Sequence, residues 1–281
     1  MNVQKKFLLA AIRTKFILLS VLNKRRCGDE ALKLFCTPLA RYNGREAEIF
    51  ASAEKLTFEF NNSKITGYRC NANAAKRVLI LHGFSSSCHK FGAYAADLVQ
   101  KNYEVLAFDA PAHGRSQGKT VNAMQYAAMI EQVNQLYGKV DAYIAHSFGG
   151  IALSLALEKI AHTENCRVAF IAPATETSSA INGAFDIIGL KNEAVKKSLE
   201  DAIYRNSGNK AAWFSIRRAV KNIRAKILWV HDEEDFVTPL ADALKVKSDA
   251  NPHIEFLLTK GLGHQKIYRD AAVKKAVVDF L

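Results

Sequence analysis

From residue 55 onward, short runs of apolar and β-branched residues alternate with longer stretches whose apolar positions recur at helical spacing. Lys55–Phe60 and Lys64–Cys70 predict two strands joined by Asn61-Asn62-Ser63, a turn composition suited to an antiparallel hairpin. Arg77–Leu81 is a continuous apolar run of the kind found in a strand buried on both faces. Further strands are expected over Tyr103–Phe108, Val140–His146, Arg167–Ala172, Ala225–Val230 and Ile254–Thr259. Helices are expected over Lys90–Lys101, Val121–Tyr137, Ile151–His162 and Asp270–Leu281. This alternation predicts an α/β chain with a mostly parallel central sheet flanked by helices.

Between Ala172 and Ala225 lie about fifty residues of helical character, including Lys191–Arg205 and Ala211–Ile223. That is too long for a simple crossover, so residues of about 175–225 are expected to form a helical lid over the carboxyl ends of the strands. The division this suggests is an amphipathic helical extension over 1–54 and one domain over 55–281. No internal repeat or low-complexity segment interrupts it.

The amino terminus has a pattern of its own. Lys5-Lys6 and the apolar run from Phe7 to Leu22 superficially resemble an export signal, but Arg13-Thr14-Lys15 interrupts the run and no small-residue cleavage site follows. The run is also too short and too polar to span a bilayer, which takes about 20 mostly apolar residues. Written as a helix it has a narrow polar stripe at positions 2, 6, 13, 20 and 24. The wide apolar remainder must pack on something, either the body of the protein or a membrane interface.

Composition narrows the function classes. With 49% hydrophobic and 23% charged residues in 281, neither a disordered chain nor a multi-span membrane protein fits. Cys27, Cys36, Cys70, Cys88 and Cys166 are scattered and odd in number, which suits reduced thiols and a cytoplasmic setting better than a disulfide framework. The net charge of +12 is concentrated: residues 1–28 contain seven Lys or Arg and no acid, and residues 202–231 repeat that imbalance. Two basic surfaces are implied, serving either an anionic partner or plain solubility. No nucleic-acid-binding, nucleotide-cradling or metal-ligand pattern accompanies them, so no cofactor, metal or nucleic-acid partner is expected.

Candidate chemistry lies at the strand ends. Ala145-His146-Ser147-Phe148-Gly149 places a serine between small residues where a buried strand turns into a helix. Such a turn presents a nucleophile, although a serine there also serves as an ordinary helix cap. Leu81-His82-Gly83-Phe84 follows the strand over 77–81, and Asp109-Ala110-Pro111-Ala112-His113-Gly114-Arg115-Ser116 follows the next. Four acids, Asp232, Glu233, Glu234 and Asp235, crowd the loop after the penultimate strand, and Gly261-Leu262-Gly263-His264 follows the last. Acyl transfer needs a hydroxyl, a base, a carboxylate that orients the base, and main-chain donors for an oxyanion; each has a candidate here.

With these motifs in this order, residues 55–281 resemble the α/β-hydrolase superfamily, on its serine esterase, lipase and serine-aminopeptidase side. The resemblance implies Ser147 at the nucleophile elbow, His264 as base, and main-chain N–H groups of Phe84 and Phe148 as the oxyanion hole. It selects Asp235 from the four acids by its distance from Pro239, with Asp232, at the strand end, as the runner-up for that role or else a residue that stabilises the loop. It assigns His82 and His113 to structure. Ala145 departs from the usual glycine, and Pro111-Ala112 from the usual glycine pattern. Serine at the elbow sets the chain apart from the dehalogenase and epoxide-hydrolase branches, which carry Asp there. The expected activity is hydrolysis of a carboxylic ester, or of an amide or thioester, on a small acyl substrate. The alternatives are a non-catalytic, partner-binding or membrane-surface-binding member of the same fold that works through its apolar amino-terminal helix and basic lid, and a membrane-associated lipid hydrolase docked through residues 7–22. Phe185, Ile187, Ile188, Leu190, Trp213 and Phe214 either line an acyl pocket or pack the lid.

Overall fold

The computed structural model describes residues 3–42 and 44–281. The chain divides into two compact units, one made of Met1–Thr37 with Glu176–Ser215 and the other of Pro38–Thr175 with Ile216–Leu281. The first unit opens with α1 (Val3–Leu22) and α2 (Lys24–Phe35). The second contributes α3 (Glu48–Ala51), β1 (Glu54–Phe60), β2 (Ser63–Cys70), β3 (Lys76–Leu81), α4 (Gly92–Gln100) and β4 (Tyr103–Phe108). It continues through α5 (Ala123–Tyr137), β5 (Ala142–His146), α6 (Phe148–Leu157) and β6 (Arg167–Ile171). The chain returns to the first unit for α7 (Thr177–Ile188) and α8 (Glu193–Ser207). It ends in the second with α9 (Ile216–Ala219), β7 (Lys226–Asp232), α10 (Leu240–Ser248), β8 (Ile254–Thr259), α11 (Gly263–Lys266) and α12 (Ala271–Phe280).

All the strands form one 8-stranded sheet in the order β1-β2-β4-β3-β5-β6-β7-β8. β1 and β2 pair antiparallel, β2 pairs antiparallel with β4, and every later pairing is parallel. The hairpin register brings Phe60 opposite Ser63, leaving Asn61 (φ 48°) and Asn62 (φ 57°) at the bend. Two consecutive left-handed residues are what a tight hairpin of the right twist demands, and asparagine tolerates that conformation better than most. In the parallel core, alternate residues point to opposite faces. Val78, Ile80, Val105, Ala107, Ile144 and Val230 share one buried cluster with Tyr94 and Leu98 of α4 and Val273 and Val277 of α12. α6 packs against β3 and β5, with α5 beside it.

The structure revises three element readings. Residues 211–223 are not one helix: a 3-10 turn at Ala211–Trp213, α9 and a 3-10 turn at Val220–Asn222 follow one another. The break is a main-chain pairing, since Ser215 bridges Glu176 and the Thr177 N–H donates to the Phe214 carbonyl. The helices α2 and α7 fall within stretches expected to be helical, though without bounds of their own, whereas α10 and the short α11 were not anticipated. In α1, Ser20 of the expected polar stripe is buried with its hydroxyl donating to the Ile17 carbonyl at 2.7 Å, and Arg13 is half-buried. Asn2 of that stripe and the Lys5 side chain lie outside the described residues. Part of the apolar face is therefore exposed instead. No described helix is long and apolar enough to cross a membrane.

The second basic cluster is largely paired. Arg217 forks onto Asp249, Arg218 onto Glu158, and Arg224 reaches Glu164; within the first unit Arg205 meets Asp29 at 2.7 Å. All five cysteines are buried and none is paired in a disulfide.

Candidate active site

The carboxyl ends of four strands bring together the residues singled out from sequence. β5 ends at His146, and Ser147 stands at the turn into α6 with φ 52° and ψ −119°. A side chain rarely adopts that backbone, which costs on the order of 1–3 kcal/mol and persists where neighbours enforce it. The Ser147 N–H donates to the Ile171 carbonyl at 3.2 Å, and its own carbonyl accepts from Gly150 and Ala174, each at 2.9 Å. Gly149 has to be glycine, because a Cβ there would lie 2.8 Å from the carbonyl oxygens of both Leu81 and His82. Ala145 is fully buried in β5, so the sheet accommodates its methyl group.

Ser147 Oγ lies 3.0 Å from His264 Nε2, and His264 Nδ1 lies 2.8 Å from Asp235 Oδ2. A carboxylate only accepts, so His264 holds its proton on Nδ1 and turns the lone pair of Nε2 to the serine hydroxyl. Asp235 is itself fixed: Oδ1 accepts from the Val237 and Thr238 N–H groups at 2.8 and 2.9 Å, and Oδ2 from Thr238 Oγ1 at 2.8 Å. Burial pushes this carboxyl up, but the hydrogen bond and charge of His264 and the Thr238 donors outweigh it and hold it below the usual carboxylate range.

Asp232 occupies a different position from Asp235. Its oxygens accept from the N–H groups of Glu234, Leu262 and Gly263 and from Thr259 Oγ1, at 2.7 to 3.1 Å. It ties the end of β7 to the loop that carries His264.

The two other loop histidines have defined tautomers. His82 Nε2 accepts from the Ala110 N–H at 2.9 Å while Nδ1 donates to the Gly83 carbonyl at 2.7 Å. His113 Nε2 accepts from the Ser85 N–H at 2.9 Å while Nδ1 donates to the Pro111 carbonyl. Both are neutral; burial, with the neighbouring His82, takes His113 down to about 3. Together they hold the loop containing Phe84, whose ring meets that of Phe148 edge-on at 5.4 Å between centroids. The N–H groups of Phe84 and Phe148 donate no hydrogen bond among the described residues. Phe148 is also the first residue of α6, where the helix end carries partial positive charge.

Three residues that sequence reading passed over complete the site. Thr238 Oγ1 sits 3.2 Å from His264 Nδ1 as well as against Asp235. His231, buried at the end of β7, donates from Nε2 to the Thr238 carbonyl at 2.8 Å. His146 packs its ring on His264 at 4.9 Å and on Tyr268 at 4.6 Å, and donates from Nε2 to the His264 carbonyl at 3.3 Å. Burial, then the charge of His264, takes His146 down to about 3, so it stays neutral. A histidine within an otherwise apolar strand end was the available signal for His231 and His146, since a buried imidazole needs partners. Cys88, His89 and Asp109 also cluster in the interior, but Asp109 already accepts from the Cys88 and Arg115 N–H groups and His89 is bonded to Ala47 and Tyr68.

A mostly parallel sheet with an antiparallel leading hairpin, and serine, acid and histidine following β5, β7 and β8 in that order, define an α/β-hydrolase. Residues 72–215 match the family described as serine aminopeptidase, S33, and the chain belongs to that family. None of the curated proteins matches it by sequence. Among solved structures, an esterase from Pyrococcus furiosus is similar at 19% identity and a TM-score of 0.65, over 88% of this chain and 97% of that one. A thioesterase domain from the curacin biosynthetic pathway is similar at 17% identity and a TM-score of 0.57, over 81% and 98%. Est1E from Butyrivibrio proteoclasticus, solved with ferulic acid bound, is similar at 17% identity and a TM-score of 0.61, over 80% and 97%.

Proposed function

We propose that this hydrolase cleaves a carboxylic ester through an acyl-serine intermediate, with Ser147 as nucleophile, His264 as general base and Asp235 as the acid that orients it. The observation that carries the reading is the single hydrogen-bonded line from Ser147 Oγ through the His264 ring to Asp235, at 3.0 and 2.8 Å. His264 Nε2 takes the hydroxyl proton as Oγ attacks the acyl carbon, and the Asp235 carboxylate stabilises the imidazolium that forms. The developing oxyanion is met by the N–H groups of Phe84 and Phe148. Collapse expels the alcohol, which receives the proton from His264; water then repeats the sequence on the acyl-enzyme. Thioesters and amides follow the same route with a different leaving group, and the esterase and thioesterase among the similar structures agree with acyl chemistry on this fold.

A fluorophosphonate probe should label the wild type, and Ser147→Ala should abolish labelling and reduce ester hydrolysis by about a millionfold. Labelling retained in Ser147→Ala places the nucleophile elsewhere and ends this reading.

A further inference from the structure

The helix α1 is apolar on two sides, and its own unit covers one of them. Phe16 and Ser20 are buried, and Leu9, Ile12 and Leu19 half-buried, on the face that meets α2, α7 and α8. On the opposite face Phe7 is 73%, Leu18 56%, and Val21 and Leu22 each 79% exposed. At 3.6 residues per turn these four fall within roughly 100° of arc and form a stripe about 22 Å long. Ala11 and Thr14 occupy the same arc between Phe7 and Leu18, so the large apolar side chains gather at the two ends of the stripe, and exposed apolar surface grouped on one helix face marks an interaction surface rather than scattered exposure.

The charges around the stripe indicate what covers it. Lys15 and Arg26 are both held by Glu30. Lys6 near one end of the helix, and Lys24 and Arg25 just beyond the other, are exposed and have no acidic partner among the described residues. An apolar stripe with free cations at both ends matches the layered chemistry of a bilayer surface, in which acyl chains lie beneath a plane of phosphates. α1 is not apolar or long enough to cross. We infer that α1 lies in the plane of an anionic membrane surface, with Phe7, Leu18, Val21 and Leu22 in the acyl boundary and Lys6, Lys24 and Arg25 on lipid phosphates.

Co-sedimentation of the full chain with phosphatidylcholine vesicles, with and without phosphatidylglycerol, tests this. The wild type should partition onto the phosphatidylglycerol vesicles and be released by added salt. Leu18→Gln/Leu22→Gln should lower the partition coefficient by on the order of tenfold or more, and Lys24→Gln/Arg25→Gln by a similar factor on anionic vesicles alone. All these positions are exposed, and an unchanged thermal midpoint for each variant shows that the fold is intact. Failure of the wild type to bind, binding unaffected by Leu18→Gln/Leu22→Gln, or equal binding to vesicles without phosphatidylglycerol overturns the inference. So does a wild-type dimer, seen by light scattering, that Leu18→Gln/Leu22→Gln dissociates, because the stripe would then be covered by a second copy of the chain. Neither result bears on the chemistry proposed for Ser147.

Discussion

Asp235 illustrates how position rather than residue type decides a role. Four acids crowd one loop, yet only the carboxylate of Asp235 meets His264 Nδ1, whereas Asp232 spends its oxygens on the main chain of the neighbouring loop. Asp235→Asn places an amide where the acceptor stood and favours the wrong histidine tautomer; kcat for an ester should fall about ten-thousandfold with KM little changed. Thr238 acts one step further out. Thr238→Val removes a hydroxyl donated to a charged carboxylate, an interaction of about 1.5–3 kcal/mol, so kcat should drop roughly ten- to hundredfold, and Thr238→Ser should recover most of it. Were kcat unaffected by Thr238→Val, the hydroxyl would be packing rather than positioning. Thr238 was not legible beforehand because a threonine beside a proline reads as turn chemistry, and only the fold brings it to His264. Ser147, Asp235 and His264 were legible because each follows an apolar run in the order this fold requires.

At the scale of elements, the strands were the most readable part. All six residues of β4 and all five of β5 are buried, so apart from Glu104 and His146 their sequences are apolar runs with little room for another interpretation. The helix α2 was the least readable, and the reason is physical. It is strongly charged, and its buried residues are Cys27, Gly28 and Ala31, too small to register as an apolar stripe. Small side chains are what the contact needs: a Cβ on Gly28 would stand 2.0 Å from the Ser198 carbonyl oxygen of α8. Gly28→Ala should force α2 and α8 apart at a cost of about 1–3 kcal/mol, read as a lower thermal midpoint. A midpoint equal to wild type would mean that the helices slide past the added methyl without loss.

Across the whole molecule, the buried histidines make stability depend on acidity. His82, His113, His146 and His231 all have their pKa lowered, first of all by burial, with His113 and His146 down to about 3. In the unfolded chain each titrates near about 6.5. Below that value the unfolded state binds protons that the folded state refuses, so the stability present above it is lost progressively as pH falls toward 3. Asp235, with its folded pKa lowered, adds a further loss below the ordinary carboxylate range. The thermal midpoint should therefore decline steadily from pH 6.5 downward, and His146→Gln should flatten part of that slope. A midpoint constant between pH 7 and 4 would contradict this assignment of neutral imidazoles.

The first unit is assembled from two pieces that are remote in the chain, and this has a consequence for biosynthesis. α1 and α2 leave the ribosome well before α8, against which α2 packs and which starts at Glu193. At roughly 5–20 residues per second the helices wait on the order of ten to thirty seconds for their partner. Throughout that interval both greasy sides of α1 are open, so the nascent chain is at its most adhesive long before His264 has been translated.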